Sequence, residues 1–348
     1  MYAAVIEGYG TEPLKIIKDQ AESSPSADQV LVEVFAASLN PIDLMKKEGY
    51  GKALFEKQRN TIFPWTLGSD FSGKIISIGK NVTRLSPGDE VWGCSSNANS
   101  GTFSQYVCIN QSEVDLKPKN LNFIEAASLP YVALTTWSAI VRWGGLNPNN
   151  IKEKKVFIQG GSGGVGTYAI QFFKNLNCTI ATTCSKRNFD LVKSLGADTV
   201  INYREDKIEE ILSNYDLVYD LLGDLGNQNE IENCFKILKQ DLNSNYISLN
   251  HSFIRNIDNK GLILGLPKSI IERNNLRKKY SPVKVHWSIY RPSLSALIQL
   301  RNQVENKEIK PIVNSIFPIN DINKAFNLLA SKNKSGKIVI NINSHDLP

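Results

Sequence analysis

Apolar and polar positions divide the chain into two textures. Over residues 1–125 the apolar residues come in short runs, at 2–6, 29–37, 73–78, 90–93 and 102–107, punctuated by Pro and Gly. That pattern predicts short strands and an all-β domain folded as a partly closed barrel. The string NVTRLSPGD (81–89) before EVWG predicts a loop, a tight turn at Pro87-Gly88-Asp89 and a strand. From Asn122 the texture changes to FIEAASLPYVALTTWSAI, with apolar residues at helical spacing and Glu125 in the first turn. Pro130 splits this stretch into two helices. The reading puts Thr135 and Thr136 at the start of the second, at a hinge between domains.

From residue 154 the pattern alternates. The run 156–158 is a short strand that enters Gly160-Gly161-Ser162-Gly163-Gly164-Val165-Gly166. The chain leaves this run at helical spacing through Val165, Ala169, Phe172, Phe173 and Leu176, and 178–183 is a second β-rich run. Strand, glycine turn, helix and strand within about thirty residues make a dinucleotide-binding unit, with pyrophosphate on the helix N-terminus. Gly160, Gly163 and Gly166 keep a three-residue spacing in place of G-x-G-x-x-G, and can still serve the tight turn, close backbone approach and close helix–strand packing. A plain glycine loop is the other reading, and the flanking periodicity favours a nucleotide. Helices at 188–196, 207–213 and 229–238 then alternate with strands at 199–201, 217–221 and 245–248, which predicts a parallel sheet with right-handed crossovers. A further amphipathic helix is expected at 292–305. The tail reads as strand, loop, helix, turn and strand, and its last strand is expected to rejoin the first domain.

Length and composition refine this picture. A chain of 348 residues exceeds the usual single domain, so we divide it into residues 1–125 with 296–348, and residues 126–295. A hydrophobic content of 42% and a charged content of 21% fit an ordinary globular protein. The net charge of +6 is mild, and the one basic concentration, 268–284 (KSIIERNNLRKKYSPVK), reads as a solvated surface segment; no nucleic-acid partner is expected. Cysteines at 94, 108, 178, 184 and 234 form no C-x-x-C pair, which excludes a metal ribbon and argues for a reducing compartment. No run of eighteen apolar residues predicts a membrane span. The opening MYAAVIEGYG is strand-like rather than a signal or transit peptide, leaving a cytoplasmic protein or one whose presequence has been removed.

Two residue sets bear on chemistry. An NAD site takes Asp or Glu at the end of the second strand, to hold the ribose 2′-hydroxyl. Here stand Ser185, Lys186 and Arg187. A hydroxyl and two cations suit a 2′-phosphate, so NADPH is the expected cofactor. Ser185 as a helix N-cap followed by two solvated cations is the alternative, and capping does not exclude phosphate contact. His251, His286 and His345, widely spaced, do not supply a zinc dehydrogenase's His and Cys ligands. Hydride transfer without a Lewis acid follows, with geometry supplying most of the catalysis. No Ser–His–Asp pattern or carboxylate pair points to a hydrolase.

The chain resembles the medium-chain dehydrogenase/reductase superfamily in its zinc-free quinone oxidoreductase branch. The resemblance is carried by AASLNPID (36–43), LGSDFSG (67–73), PGDEVWG (87–93), GTFSQYV (101–107), AASLPYVALTTWSAI (126–140), GGSGGVG, SLGAD (194–198), VINYRED (200–206) and SGKIVI (335–340), in order over almost the full length. Asn40-Pro41-Ile42-Asp43 and Gly68-Ser69-Asp70 stand where zinc relatives carry a ligand Cys and Gly-His-Glu. The resemblance implies an α/β protein: a GroES-like partly open β-barrel domain plus a Rossmann doubly wound parallel sheet domain. It implies cofactor contacts at Gly160, Ser162, Gly163, Gly164, Val165 and Gly166 for the pyrophosphate, and at Ser185, Lys186 and Tyr203 for the 2′-phosphate and adenosine. It places Leu222, Gly223 and Leu249 on the nicotinamide side, and Lys337 of SGK near the cleft. Tyr203 reads equally well as a strand-end aromatic packed on the sheet. Asn40 and Thr135 are the catalytic candidates, for the nicotinamide carboxamide or a substrate carbonyl, although Asn before Pro is also a turn residue. Tyr50 and Trp65 are acceptor-lining candidates or plain core aromatics. No metal is expected.

The branch implies an NADPH-dependent reduction of a quinone or related activated carbonyl or alkene, and a homodimer. Its most similar members add a mitochondrial matrix location, a link to ubiquinone biosynthesis and a protein partner of reticulon type. Two alternatives stay open: an NADPH-binding protein of the same fold acting mainly through that partner, and an enoyl-thioester reductase.

Overall fold

The computed structural model describes residues 1–18, 24–59, 63–96, 98–223, 228–331 and 334–342. His345 lies outside the described residues. The chain forms two compact units, Met1–Leu134 with Arg291–Pro348, and Thr135–Tyr290.

The first unit opens with strands β1 (Ala3–Ile6), β2 (Lys15–Ile17) and β3 (Gln29–Leu39), then helices α1 (Pro41–Lys47) and α2 (Lys52–Phe55). Strands β4 (Trp65–Thr66), β5 (Asp70–Ile78), β6 (Glu90–Cys94), β7 (Tyr106–Asn110) and β8 (Val114–Leu116) follow. The strand expected at 102–107 begins four residues later, because Ser104 folds back instead: its hydroxyl donates to the carbonyls of Gly101 and Tyr106. Helices α3 (Phe123–Ala127) and α4 (Pro130–Trp137) are separate, and the chain continues as a π-helical stretch, Ser138–Trp143. Pro130 is the first residue of α4, where its missing N–H costs nothing. Thr135 and Thr136 therefore sit near the end of α4, a correction to the start expected from sequence. Phe123–Trp143 is long and apolar enough to cross a membrane, but its apolar window is 72% buried within the protein, as a core helix would be.

The second unit contains α5 (Pro148–Ile151), β9 (Lys155–Gln159), α6 (Gly164–Lys174), β10 (Thr179–Cys184), α7 (Phe189–Ser194), β11 (Thr199–Asn202), α8 (Ile208–Ile211), β12 (Leu217–Asp220), α9 (Gln228–Lys236), β13 (Asn245–Ser248), α10 (Phe253–Lys279) and β14 (Lys284–Trp287). The order β11-β10-β9-β12-β13-β14 is fully parallel and reverses direction between β9 and β12. That is a doubly wound sheet, with its ligand crevice expected at the carboxyl ends of the strands near the reversal. Its strands are buried on both faces, β9 as Val156, Phe157 and Ile158, which explains their continuous apolar runs. Helix α10 and strand β14 were not legible in the sequence; most of the basic segment 268–284 is helix.

The chain then returns to the first unit with α11 (Leu294–Glu305), β15 (Val313–Pro318), α12 (Ile322–Ala330) and β16 (Lys337–Asn341). As expected, the last strand rejoins the opening domain: β16 pairs antiparallel with β3, Ile338 opposite Leu39. Among the described residues this unit holds a three-stranded sheet, β2-β1-β4, and a seven-stranded one running β15-β16-β3-β5-β6-β8 with β7 on β3. Their apolar faces share one core around Phe71, Phe103, Ile75 and Leu67, closed by Phe326 and Leu329 of α12.

Candidate functional site

In the second unit, β9 ends at Gln159 and Gly160 turns the chain at φ +92°, a conformation glycine adopts freely. Its N–H donates to Thr183 Oγ1 at 3.0 Å, and the Gly161 N–H to the Thr183 carbonyl at 3.0 Å, so the turn is pinned to β10. A Cβ on Gly161 would lie 2.0 Å from Thr182 Oγ1, and one on Gly166 would lie 2.4 Å from the Gly160 carbonyl. A Cβ on Gly163 would meet nothing nearer than 3.7 Å. Two of these glycines thus make the packing possible, while Gly163, the N-cap of α6, faces open space. The first intrahelical bond runs from Thr167 N–H to the Gly163 carbonyl. The amides of Gly164, Val165 and Gly166 precede it and have no acceptor within the helix, which makes an anion cradle beside the half-buried Ser162.

The neighbouring strand ends supply the rest. Cys184 of β10 lies opposite Asn202 of β11, so Ser185-Lys186-Arg187 and Tyr203-Arg204 leave the sheet side by side. Ser185 is 9% exposed and its hydroxyl accepts from Asn188 Nδ2 at 3.4 Å. Lys186 is exposed, and Tyr203, 53% exposed, carries the Arg204 guanidinium 5.6 Å from its ring centre. Tyr203 is thus a surface ring rather than one packed on the sheet.

Asp220, the last residue of β12, organises the other side. Its Oδ1 accepts from the N–H groups of Leu222 and Gly223, both at 2.9 Å, and its Oδ2 from the Tyr246 hydroxyl at 2.5 Å. Burial pushes this carboxyl up from the usual range, and the three donors pull it back. Gly223 sits at φ +50° with the place of a Cβ only 1.9 Å from the Asn250 carbonyl, and Asn250 Nδ2 donates to the Leu221 carbonyl at 2.7 Å. Leu249 donates its N–H to the Asp220 carbonyl. The loops bearing Leu222, Gly223 and Leu249 are therefore one braced structure. Beyond them His251 stacks on Trp287 with centroids 4.8 Å apart, its Nε2 3.1 Å from the Ser288 carbonyl and its Nδ1 buried without a partner among the described residues. Burial holds this imidazole down to a pKa of about 4. Thr135 also belongs to this unit; it is 7% exposed and its hydroxyl has no partner among the described residues.

The first unit brings Asn40 and Lys337 together around a residue that sequence reasoning quoted only as part of a motif, Asp70. This carboxylate is fully buried and Oδ2 accepts from Ser38 Oγ (2.6 Å), Asn40 Nδ2 (2.9 Å) and Lys337 Nζ (2.9 Å). Oδ1 accepts from the Tyr131 N–H at 2.6 Å. Lys337 Nζ also donates to Asn40 Oδ1, so the Asn40 amide is fixed on both atoms. Its backbone N–H donates to Asp43 Oδ2 at 2.8 Å at the head of α1. Burial raises Asp43 to a pKa of about 6, which Lys46 moderates. Lys46 is pushed down by burial, and the Tyr131 phenol is pushed up by burial and by the nearby Cys94, Asp43, Asp70 and Tyr50. Tyr50 thus borders this polar cluster. Trp65 does not: it is 5% exposed, with its indole N–H on the Ala98 carbonyl and Arg59 over its ring at 3.9 Å.

Comparison with known proteins agrees with this layout. Residues 26–119 match the alcohol dehydrogenase GroES-like domain, and residues 195–340 match a zinc-binding dehydrogenase model. The mitochondrial NAD(P)H oxidoreductase RTN4IP1 of Danio rerio is 37% identical, over 98% of this chain and 91% of its own. The chain belongs to the medium-chain dehydrogenase/reductase superfamily. Within that superfamily the Homo sapiens RTN4IP1 is 36% identical over 90% of this chain and 82% of its own. The solved quinone oxidoreductase of Coxiella burnetii superposes with a TM-score of 0.80 at 28% identity, covering 98% of this chain and 99% of the other.

A zinc-binding member of this superfamily needs three or four His, Cys or carboxylate ligands. Among the described residues no cluster of that kind exists. Asp70 is already engaged by the Lys337 ammonium at 2.9 Å. The glycine cradle, by contrast, fits a dinucleotide, since its open side is lined by unspent amides.

Proposed function

We propose that this chain is an NADPH-dependent oxidoreductase that passes hydride to a quinone, or a related activated carbonyl or alkene, without a metal. The observation that carries the reading is the end of β10. Ser185-Lys186-Arg187 stand there in place of a carboxylate, next to Tyr203-Arg204 and to the cradle of Gly160 to Gly166. A phosphate gains from charge-assisted donors at that spot, whereas an acidic residue would repel it. Ser162, Gly164 and Val165 would hold the pyrophosphate through the α6 amides, and Leu222, Gly223 and Leu249 would support the nicotinamide end. Bound there, the nicotinamide supplies the hydride.

Asn40 and Thr135 are assigned polar contacts to the carboxamide or the acceptor carbonyl. The Asn40 amide is held by Asp70 and Lys337, so it offers a fixed dipole rather than a mobile one. Thr135 brings a buried hydroxyl that has no partner among the described residues. A quinone suits this set because its reduced form takes its proton from water and needs no dedicated acid. The mitochondrial names of the relatives support a mitochondrial setting, and a ubiquinone-type acceptor belongs to the same proposal, as does a homodimer.

The test is a titration of both cofactors. Lys186→Glu should weaken NADPH by roughly 10- to 100-fold and leave NADH within about threefold, a loss of about 1.4–3 kcal/mol for one charge-assisted contact and the repulsion replacing it. Equal or tighter binding of NADH by the parent protein would sink the reading. A second reading, in which the chain acts mainly through a protein partner, is favoured by one observation: the Caenorhabditis elegans relative, 32% identical, is named reticulon-4-interacting protein 1. Rapid quinone reduction that Asn40→Ala abolishes, with NADPH still bound, would count against it.

A further inference from the structure

Helix α10 is amphipathic in the wrong direction for a soluble protein. At Gly261 (φ 72°, ψ 172°) it divides into two arms, and the arms are pressed together: a Cβ on Gly265 would lie 2.4 Å from the Asn256 carbonyl. The inward side of the second arm is polar over its first turns. Ser269 accepts from Asn256 Nδ2 at 3.1 Å, and Glu272 takes the Ser252 hydroxyl and the same Asn256 amide. The outward side is apolar. Leu262, Ile263, Leu264, Leu266, Ile270 and Ile271 are all exposed, Ile263 to 86% and Leu264 to 65%. These are six of the thirteen large apolar side chains exposed among the described residues, gathered into ten positions while the others stand apart. Exposed apolar residues scattered singly need no explanation, but a contiguous patch marks an interaction surface.

Charge decides what covers it. Residues 253–284 hold eight Lys and Arg against two acids, a surplus of six that equals the net charge of the whole chain. Lys260 and Lys268 bracket the first half of the apolar run, and Arg277, Lys278 and Lys284 lie exposed beyond it. A second copy docked through this face would set two such surpluses against each other. An anionic lipid surface would pair with both features, taking the apolar side chains below its headgroups and the cations among them.

We propose that the outward face of α10 is a peripheral docking site for an anionic membrane surface, lying on the bilayer rather than spanning it. The proposal rests on this helix alone and not on the acceptor. The test is flotation of the full chain with vesicles of phosphatidylcholine, with and without about one third phosphatidylserine. Binding to the anionic vesicles should exceed binding to the neutral ones at least about tenfold and fall with added salt. Ile263→Asp with Leu264→Asp should lower it about tenfold or more, and so should Lys260→Glu with Lys278→Glu, all with unchanged melting temperature and NADPH affinity. No preference for anionic vesicles would overturn the proposal. So would self-association in solution that Ile263→Asp abolishes while vesicle binding is absent, which would give the face to a second copy.

Discussion

Replacing Lys337 with Met tests the polar cluster of the first unit. The substitution keeps the length of the side chain and removes an ammonium that is 5% exposed. Asp70 then retains Ser38, Asn40 and the Tyr131 amide as donors but loses its counter-charge at 2.9 Å, and Asn40 Oδ1 loses its donor. Breaking one side of a buried pair costs about 3–5 kcal/mol, because the remaining charge stays buried without compensation. At about 1.4 kcal/mol per tenfold, hydrogen exchange of β3 and β16 amides that open globally should speed up by roughly two to almost four powers of ten. Asp70→Asn with Lys337→Met leaves a neutral acceptor in place and should recover most of that loss, a coupling of about 2 kcal/mol or more. Exchange mass spectrometry confines the readout to peptides of this unit, so the second unit does not mask it. A single-substitution cost below about 1 kcal/mol, or costs that simply add, would refute the claim that this pair fixes Asn40.

Three further outcomes follow from the geometry. Gly161→Ala and Gly166→Ala should each cost about 1–3 kcal/mol through their 2.0 and 2.4 Å contacts, whereas Gly163→Ala should hold its melting temperature and lose NADPH affinity at least about tenfold. Asp43, raised to about 6 by burial, contributes stability that is full below its unfolded value near 3.8 and is lost as pH rises through 6, about 3 kcal/mol in all. Asp43→Asn should remove that dependence, and urea unfolding at pH 5 and 8 reads about 1.4 kcal/mol of it, the part lost above pH 5. His251 and His286, both held near 4 by burial, act with the opposite sign: their contribution is full above 6.5 and disappears as pH falls through 4. Both imidazoles pull the melting temperature down between pH 7 and 4.5, against the raised carboxyls of Asp43 and Asp220, so His251→Phe should lessen the acid loss, and an unchanged pH profile would contradict the neutral, buried assignment.

What the sequence made legible was whatever lies close along the chain. The β9–α6–β10 unit announces itself because its glycines, its strands and its helix are adjacent, with the turn at Gly160 and the close packing at Gly161 and Gly166 all inside one short run. Ser185 to Arg187 follow from the same local logic. Asp70 stayed hidden because its partners come from β3, the α1 cap, α4 and β16, and no local pattern marks a carboxylate whose donors lie on four elements. Asp220 likewise reads as an ordinary strand end until Tyr246 and the Gly223 loop close on it. Thr135 reads as a helix start because a proline in the pattern counts as a break, whereas Pro130 is the first residue of its helix. Helix α10 escaped notice for a different reason: its apolar periodicity faces outward and its inward face is built from Asn256, Ser269 and Glu272, so the usual rule reads it as surface.

The return of β16 to the first unit has a consequence for how the protein is made. Lys337 follows Asp70 by 267 residues, and the 36–39 end of β3, beyond its pairing with β7, lacks a neighbour on that side until β16 has been synthesised. At about 5–20 residues per second, Asp70 waits roughly 10 to 50 seconds on the ribosome for its counter-ion. The whole of Thr135–Tyr290 emerges during that interval and is free to fold as a unit. The nascent first unit meanwhile carries an open sheet edge at the 36–39 end of β3, which makes it a natural client of a chaperone. A truncation that stops translation before residue 337 should therefore yield a chain able to bind nucleotide yet prone to aggregate through its unfinished half.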